Sequence, residues 1–254
     1  MSADRRTYAW VGAAVVCAGC GTGPLDAVAL APRTLGSGLW AHYTFDETSG
    51  DVAHDSSGNG RDGRTFGTSW TGDGRFGGAI SIGDGGYVEI DNFPNATPSW
   101  TVSAWARVSA INAAEPIITI VSTLSAFQSG GWELNWMPPT VFQFGSVGSG
   151  IAGVVPPGYQ SIEAIGVVDG AWNHVVAVVD SDAASSRLYV NGYEGAETPD
   201  VSPIAASSTT MYFGRWAYPG RQLIGDLDDI SIFDRALTDP EVGSLFDSPP
   251  PNPQ

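Results

Sequence analysis

The chain has 254 residues and a mass of 26.5 kDa, which is enough for one large domain with a buried core. Its 11 basic side chains are all Arg and stand against 27 acidic residues, so the formal net charge at pH 7 is −16. A protein this acidic repels phosphate backbones, which excludes nucleic-acid binding as a main role. The 33 Gly and 17 Pro predict many turns.

Residues 1–19 have the composition of a secretory signal peptide. Arg5 and Arg6 form a short basic patch, and about a dozen mostly apolar residues follow, too few for a membrane-spanning helix. The ending Val16-Cys17-Ala18-Gly19-Cys20 resembles the bacterial lipobox, in which the cysteine after two small residues is acylated and becomes the new N-terminus. We therefore predict lipidation of Cys20.

Cys17 and Cys20 also match the C-x-x-C spacing of redox and metal-binding pairs. Neither a strand–helix pattern nor a second cysteine pair accompanies them, and this favours lipidation. The prediction is then a lipid-anchored protein of the bacterial cell envelope. Gly21, rather than Asp, follows the acylated cysteine, which favours the outer membrane or the cell surface.

The composition divides the rest of the chain into three parts. Residues 20–37 are rich in small residues and contain two prolines, which predicts a tether. Residues 248–254 form a proline-rich polar tail that we expect to be disordered. Between them, residues 38–247 are predicted to form a single domain.

Period-two alternation of apolar side chains runs through this domain. In Trp100–Val108 alternate residues from Val102 onward are apolar, which predicts a strand with one face in the core. Residues 174–179 are apolar on both faces, as in a central strand. Arg187–Val190 is a further strand, and Asn191-Gly192 after it is a strong hairpin-turn signal.

The remaining strands are short and are separated by turns rich in Gly and Asp, which predicts an all-β sandwich. They are predicted at 39–45, 79–82, 87–90, 132–136, 211–214 and 227–233. The segment Thr238-Asp239-Pro240-Glu241 has an N-cap residue, an early proline and a glutamate three residues on, so it predicts a short C-terminal helix.

Five segments, taken in order, resemble the laminin-G-like branch of the concanavalin A-like jelly rolls. They are Trp40–Glu47, Asp55–Gly60, Trp100–Trp105, Trp172–Gly192 and Gly225–Leu237. The resemblance implies a two-sheet antiparallel jelly-roll sandwich with one concave and one convex sheet, and with the first and last strands paired. It implies little about the ligand, because members of the family bind sugars or proteins and a fold does not fix a function.

A possible cation-binding turn lies at Asp55-x-Ser57-x-Asn59-Gly60, where oxygen-bearing side chains alternate as in the first half of an EF-hand loop. Phe66 stands where an EF-hand has its final glutamate, so a complete EF-hand is excluded. The same residues also form ordinary Asx turns, and that alternative stays open.

The resemblance places Asp46, at the end of the first strand, beside the acidic segment 226–229 of the last strand. Carboxylates gathered with few basic residues nearby repel one another unless a cation lies between them. We therefore predict a structural calcium ion with Asp46 and Asp228 as main ligands. Asp55, Asn59 or a main-chain carbonyl would complete the site.

The sequence argues against an enzyme, so a glycan-active enzyme is only the third candidate function. The Glu-x-Asp-x-x-Glu run of jelly-roll glycosidases is absent, and Glu133 is expected to be a solvent-facing edge residue. His42, His54 and His174 occupy positions that the family pattern fills with histidine, and each is predicted to be structural.

Aromatic residues outside the core-facing positions suggest a binding surface. By alternation, Trp105 and Arg107 face outward from their sheet, although a loop could cover Trp105 and create a second small core. A loop with Trp216, Tyr218 and Arg221 is the other candidate. Sugars stack on aromatic rings beside polar groups, so a glycan-binding or adhesion module is predicted. The alternative partner is another envelope protein, bound without any sugar.

Overall fold

The computed structural model describes the parts of the chain listed here: residues 34–93, 99–109, 117–123, 131–147, 159–198, 210–217 and 220–250. The predictions for residues 1–19, for Cys20 and for most of the tether lie outside these residues, as do Tyr218 and residues 251–254. No helix within the described ranges is long and apolar enough to cross a membrane.

The described residues form fourteen strands and one helix. In chain order these are β1 Leu39–Tyr43, β2 Val52–Ala53, β3 Gly63–Thr71, β4 Ala79–Ile90, β5 Trp100–Val108, β6 Ile118–Ser122, β7 Gly131–Met137, β8 Val141–Val147, β9 Tyr159–Ile165, β10 Asn173–Asp180, β11 Ser185–Val190, β12 Tyr193–Thr198, β13 Met211–Phe213, β14 Gly225–Phe233 and α1 Asp239–Asp247. The predicted helix and the predicted strands are therefore confirmed, except that 79–82 and 87–90, predicted as two strands, are parts of the single strand β4. Strands β2, β3, β6, β8, β9 and β12 were not predicted.

The strands are hydrogen-bonded in the order β12-β11-β10-β5-β14-β4-β13-β6-β7-β8-β9, with β1 on β14, β3 on β4 and β2 on β3. All pairs are antiparallel. Strand β4 connects two layers, because Ile80 and Ile82 pair with β14 whereas Val88 and Ile90 pair with β13. We call β1, β5, β10–β12 and β14 the first layer, and β3, β6–β9 and β13 the second layer. The predicted pairing of the first and last strands, β1 with β14, is confirmed.

The core lies between the two layers. Val102 and Ala104 of β5 and Leu134 of β7 are fully buried in the same cluster. The rings of Trp100 and Trp132, one from each layer, stack with centroids 4.5 Å apart. Side chains alternate between the two faces of each strand, so the residues that do not point into this cluster lie on the outer face of their layer.

Helix α1 covers part of the outer face of the first layer. Val242 and Leu245 of α1 pack into a second apolar cluster with Val176 and Val178 of β10. The helix begins after Thr238, whose main-chain N–H donates to the Glu241 carboxylate at 2.9 Å. This hydrogen bond belongs to the capping box that the sequence predicts.

Gly225 opens β14 at a close backbone approach to β5. A Cβ atom at this position would lie 2.2 Å from the carbonyl oxygen of Arg107 and 2.9 Å from the Cα of Val108. Because the obstructing atoms are backbone, we expect Gly225→Ala to lower the free energy of unfolding by about 2 kcal/mol or more. Urea denaturation followed by tryptophan fluorescence measures this loss.

Gly243→Ala is the matched control, since Gly243 lies within α1 and an added Cβ would meet nothing within 4 Å. We expect that variant to gain up to about 1 kcal/mol, because alanine is the better helix former. Equal stability of Gly225→Ala and the wild type would contradict the close approach of β14 to β5.

Candidate functional site

The outer face of the second layer is polar. In β7, Trp132, Leu134 and Trp136 are buried in the core cluster, so Glu133 and Asn135 point to the opposite side of the sheet. Strand register aligns the outward residues of successive strands into one transverse row. That row is Arg64, Glu89, Tyr212, Ser122, Glu133, Gly145 and Ser161.

Glu133 lies in the middle of this row and is 0% exposed. The expectation of a solvent-facing edge residue was wrong, because β7 is flanked by β6 and β8 and an arginine covers the carboxylate. Arg221 Nη1 donates to Oε1 of Glu133 at 2.8 Å and to Oε2 at 2.9 Å. A buried carboxylate is stable when a cation and hydrogen bonds compensate it, and Arg221 supplies both.

Arg221 also connects Glu133 to a tryptophan on the surface. Its guanidinium lies over the Trp216 ring, 4.6 Å from the centroid, and its main-chain carbonyl accepts the N–H of Thr119 on β6 at 2.9 Å. Trp216 is half-buried. The structure therefore brings together two of the three residues of the predicted loop, Trp216 and Arg221, whereas Tyr218 lies outside the described residues.

A hydrogen-bonded chain of side chains runs beside this centre across β6 to β9. Thr119 Oγ1 donates to Asn135 at 2.9 Å, Asn135 Nδ2 donates to Gln143 at 3.4 Å, and Gln143 Nε2 donates to Glu163 at 3.1 Å. Each amide is thereby held in one orientation. We call these four residues the polar chain.

Aromatic side chains occupy the other end of the face, over β3, β4 and β13. Phe66, which is 39% exposed, stacks on Tyr87 with ring centroids 4.7 Å apart. Tyr87 contacts Tyr212 edge to face at 6.0 Å. The Arg215 guanidinium lies 4.2 Å from the Tyr87 centroid and 4.8 Å from the Tyr212 centroid. We call Phe66, Tyr87, Tyr212 and Trp216 the aromatic row.

Trp105 and Arg107 lie elsewhere, on the outer face of the first layer. The Trp105 ring is 3% exposed because Phe246 of α1 stacks on it at 5.4 Å and the Arg75 guanidinium lies 4.5 Å from it. Trp105 therefore points outward from its sheet but is covered, and its ring offers no open stacking surface. Arg107 pairs with Asp226 at 2.9 Å and with Asp73 at 2.9 Å.

Two of the histidines are buried and hydrogen-bonded. His42 Nε2 lies 2.7 Å from Asp229, and His174 Nε2 lies 2.8 Å from the Ser103 hydroxyl. Burial, with the nearby Arg75 charge, lowers the pKa of His174 to about 3, so its ring is uncharged at neutral pH. His174 and Ser103 are both buried, at 1% and 2% exposure.

Asp46 and Asp228, the main calcium ligands predicted from the sequence, both bind the loop that precedes β4. Asp46 Oδ1 accepts the main-chain N–H of Gly78 at 2.7 Å, and Asp228 Oδ2 accepts that of Phe76 at 2.8 Å. Burial, together with the charge of the neighbouring Asp229, raises the pKa of Asp228 to about 7. These carboxylates are thus satisfied in part by backbone donors.

Asp55, a predicted helper ligand, is the centre of a separate turn. It accepts the main-chain N–H groups of His42 at 3.1 Å, of Ser57 at 2.9 Å and of Arg61 at 3.0 Å. Burial opposes ionisation here, but these hydrogen bonds keep the pKa of Asp55 below its ordinary value. The geometry is that of the Asx-turn alternative.

Asn59, the other predicted helper, donates its amide nitrogen to main-chain carbonyls of β1 at 3.0 and 3.1 Å. Among the described residues no group of three or more His, Cys, Asp or Glu side chains is arranged to hold a metal ion. Asp46 and Asp228 contact the loop before β4, whereas Asp55 and Asn59 belong to a turn that contacts β1.

Residues 82–243 match the Laminin_G_3 family model, described as the concanavalin A-like lectin/glucanases superfamily. The chain belongs to this family. The laminin-G-like jelly roll predicted from five sequence segments is thus confirmed, with α1 as its short C-terminal helix. None of the curated proteins matches this laminin-G-like chain.

Solved structures with the same fold include two binding domains and one domain of an arabinanase. The binding domain of botulinum neurotoxin serotype D/C has 18% identity and a TM-score of 0.62, covering 84% of this chain and 52% of that one. The binding domain of Paraclostridial Mosquitocidal Protein 1 has 19% identity and a TM-score of 0.63, with coverage of 84% and 52%. The laminin-G-like chain spans about half the length of these two domains.

Domain 4 of AbnA, a GH43 extracellular arabinanase from Geobacillus stearothermophilus, has 20% identity and a TM-score of 0.61. The match covers 82% of this chain and 97% of that domain, which was solved in complex with arabinotriose. At these identities the likenesses show a shared fold.

The Glu133–Arg221 pair can be tested by a double-mutant cycle. Glu133→Gln leaves the largely buried charge of Arg221 without its partner, and Arg221→Gln does the same to the buried carboxylate of Glu133. Each change should therefore lower the free energy of unfolding by about 3 kcal/mol. The double variant should lose less than the sum of the two. Urea denaturation of all four proteins measures the coupling.

Arg64→Gln is the control, because the Arg64 side chain is 60% exposed and its pairs with Glu89 and Asp91 lie at the surface. We expect that change to cost less than about 1 kcal/mol. Additive losses in the cycle would show that Glu133 and Arg221 act independently.

Proposed function

We propose that this chain is a glycan-binding module of the bacterial cell envelope, held there by a lipid on Cys20. The observation that carries the proposal is the outer face of the second layer, where the aromatic row lies beside the polar chain. Sugars stack their C–H faces on aromatic rings, and neighbouring polar groups fix their orientation. The structure of domain 4 of AbnA in complex with arabinotriose supports the idea that this fold can present a sugar site.

The two parts of the face have complementary roles in this proposal. Trp216, Tyr87 and Tyr212 supply rings for stacking, whereas Glu163, the exposed member of the polar chain, supplies a carboxylate that Gln143 orients. The other three members of the polar chain are buried. A ligand that meets preoriented groups loses less free energy on ordering them. Binding is proposed without turnover of the glycan.

A second candidate, a module that binds another envelope protein, is favoured by a different surface. Ile165, Val168 and Tyr193 are 77%, 58% and 80% exposed. They flank the hydrogen bond that Asn191 donates to the carbonyl of Gly166 at 3.1 Å. A group of exposed apolar side chains is typical of a protein contact. A botulinum neurotoxin binding domain of this fold was solved with rat synaptotagmin II.

Trp216→Ala tests the glycan site. Loss of the stacking ring should weaken binding of the glycans recognised on an array by about tenfold or more, since 1.4 kcal/mol is a factor of ten. The melting temperature should fall by only a few degrees, because Trp216 is half-buried. Isothermal titration calorimetry with the purified protein gives the affinities.

Trp105→Ala is the matched control, since that indole is 3% exposed on the other layer. It should cost about 3 kcal/mol or more of stability and leave the affinity of the folded protein unchanged. Undiminished affinity of Trp216→Ala would place the site elsewhere. An array without any bound glycan would favour the protein-binding candidate, and release of reducing ends on the same panel would favour an enzyme.

A structural calcium ion remains part of the proposal, with Asp46 and Asp228 as side-chain ligands. Because Asp55 and Asn59 lie in a separate turn, main-chain carbonyls would have to supply further oxygens. Adding calcium to the EDTA-treated protein should release measurable heat and raise the melting temperature, and Asp46→Asn should abolish both effects. Asp55→Asn should leave the calcium response intact. Absence of heat and of a thermal shift in the wild type would remove calcium from the proposal.

A further inference from the structure

Arg215 differs from most arginines of the described chain, which pair with carboxylates. The paired ones are Arg64, Arg107, Arg187, Arg221 and Arg235. Arg215 instead lies on the rings of Tyr87 and Tyr212 and forms no ion pair with any described residue. In a chain with 27 acidic and 11 basic residues, an arginine without a carboxylate partner on the candidate binding face calls for an explanation.

The main chain occupies one edge of the Arg215 guanidinium. Nε donates to the carbonyl of Trp216 at 3.0 Å, and Nη2 donates to the carbonyl of Ala217 at 3.1 Å. A guanidinium has five N–H groups in a rigid planar fork, so two of them are used on this edge. The edge formed by Nη1 and the second N–H of Nη2 has no acceptor among the described residues.

The acidic residues of this face do not occupy that edge. Glu89 and Asp91 are bound by Arg64 at 2.6 and 3.0 Å, and Glu133 is bound by Arg221. Arg64 is thus shared by two carboxylates, and Glu163 of the polar chain is exposed without a basic partner among the described residues. None of these carboxylates occupies the Nη1–Nη2 edge of Arg215.

We infer that the glycan bound at this face is acidic, and that Arg215 binds its carboxylate through the Nη1–Nη2 edge. A planar two-donor edge matches the two oxygens of a carboxylate, and the resulting pair of charge-assisted hydrogen bonds is both strong and directional. The two tyrosines and the two main-chain carbonyls hold the guanidinium in place before the ligand arrives, which reduces the entropy lost on binding. The inference rests on the proposed function and names the class of glycan that would be bound.

The test compares acidic sugars with neutral counterparts of the same skeleton. Oligogalacturonate is paired with its methyl ester, and sialyllactose with lactose, while dextran sulfate and dextran test a sulfate as the source of charge. For the wild type, we expect at least one carboxylate sugar to bind at least tenfold more tightly than its neutral counterpart. We also expect this preference to decline as sodium chloride is raised.

Arg215→Gln should reduce the preference to within about threefold while the neutral sugar binds as before. Arg215→Lys keeps the charge but removes the planar fork, so most of the preference should be lost there too. Arg75→Gln is the matched control, because Arg75 also lies over aromatic rings, those of Phe76 and Trp105, but on the other layer. It should leave the preference unchanged.

The outcomes separate this inference from the proposed function. If sugars bind and Trp216→Ala abolishes binding, but acidic and neutral members bind equally, the inference fails and the proposed function stands. A preference for sulfate alone overturns the carboxylate assignment, and a carboxylate preference that survives Arg215→Gln overturns the role of Arg215. If no sugar on an array binds the wild type, both fail.

Discussion

Strand β14 carries three aspartates into the interior, and the neighbouring elements are arranged to satisfy them. All nine residues of β14 are buried, and the strand pairs with β1, β4 and β5. Burial of a carboxylate is unfavourable unless charges or hydrogen bonds compensate it. The donors are Arg107 for Asp226, the main-chain N–H of Phe76 for Asp228, and His42 for Asp229. The first strand, the loop before β4 and the outward side of β5 are therefore held in place by these contacts.

Other parts of the fold cover the outer face of the first layer. On the outer face of the first layer, Trp105 is covered by Phe246 and Arg75, and apolar residues of β10 are covered by α1. The side chains there are engaged in stabilising the fold. On the outer face of the second layer, by contrast, Phe66 is 39% exposed and Trp216 is half-buried. Function is thus proposed on the layer that the terminal helix does not cover.

Sequence reasoning predicted the elements in which apolar and polar residues contrast strongly. Strand β5 was predicted with its final bounds, Trp100–Val108, and the Asn191-Gly192 turn has the positive φ values, 51° and 81°, that its sequence favours. Strand β3, Gly63–Thr71, was missed because it is rich in Gly, Ser and Thr and largely exposed. Residues 79–82 and 87–90 were predicted as two strands, whereas the structure shows one strand that continues through the glycines between them.

The sequence by itself determined the jelly-roll fold, the terminal helix and the presence of an aromatic loop with an arginine. Only the tertiary structure decided that Trp105 is covered, that Glu133 is the buried partner of Arg221, and that Arg215 lies on Tyr87 and Tyr212. The physical reason is that alternation assigns a residue to one face of a strand from local information. Whether that face is then covered, and by which charge, depends on segments distant in sequence, such as α1 for β5 and the loop before β14 for β7.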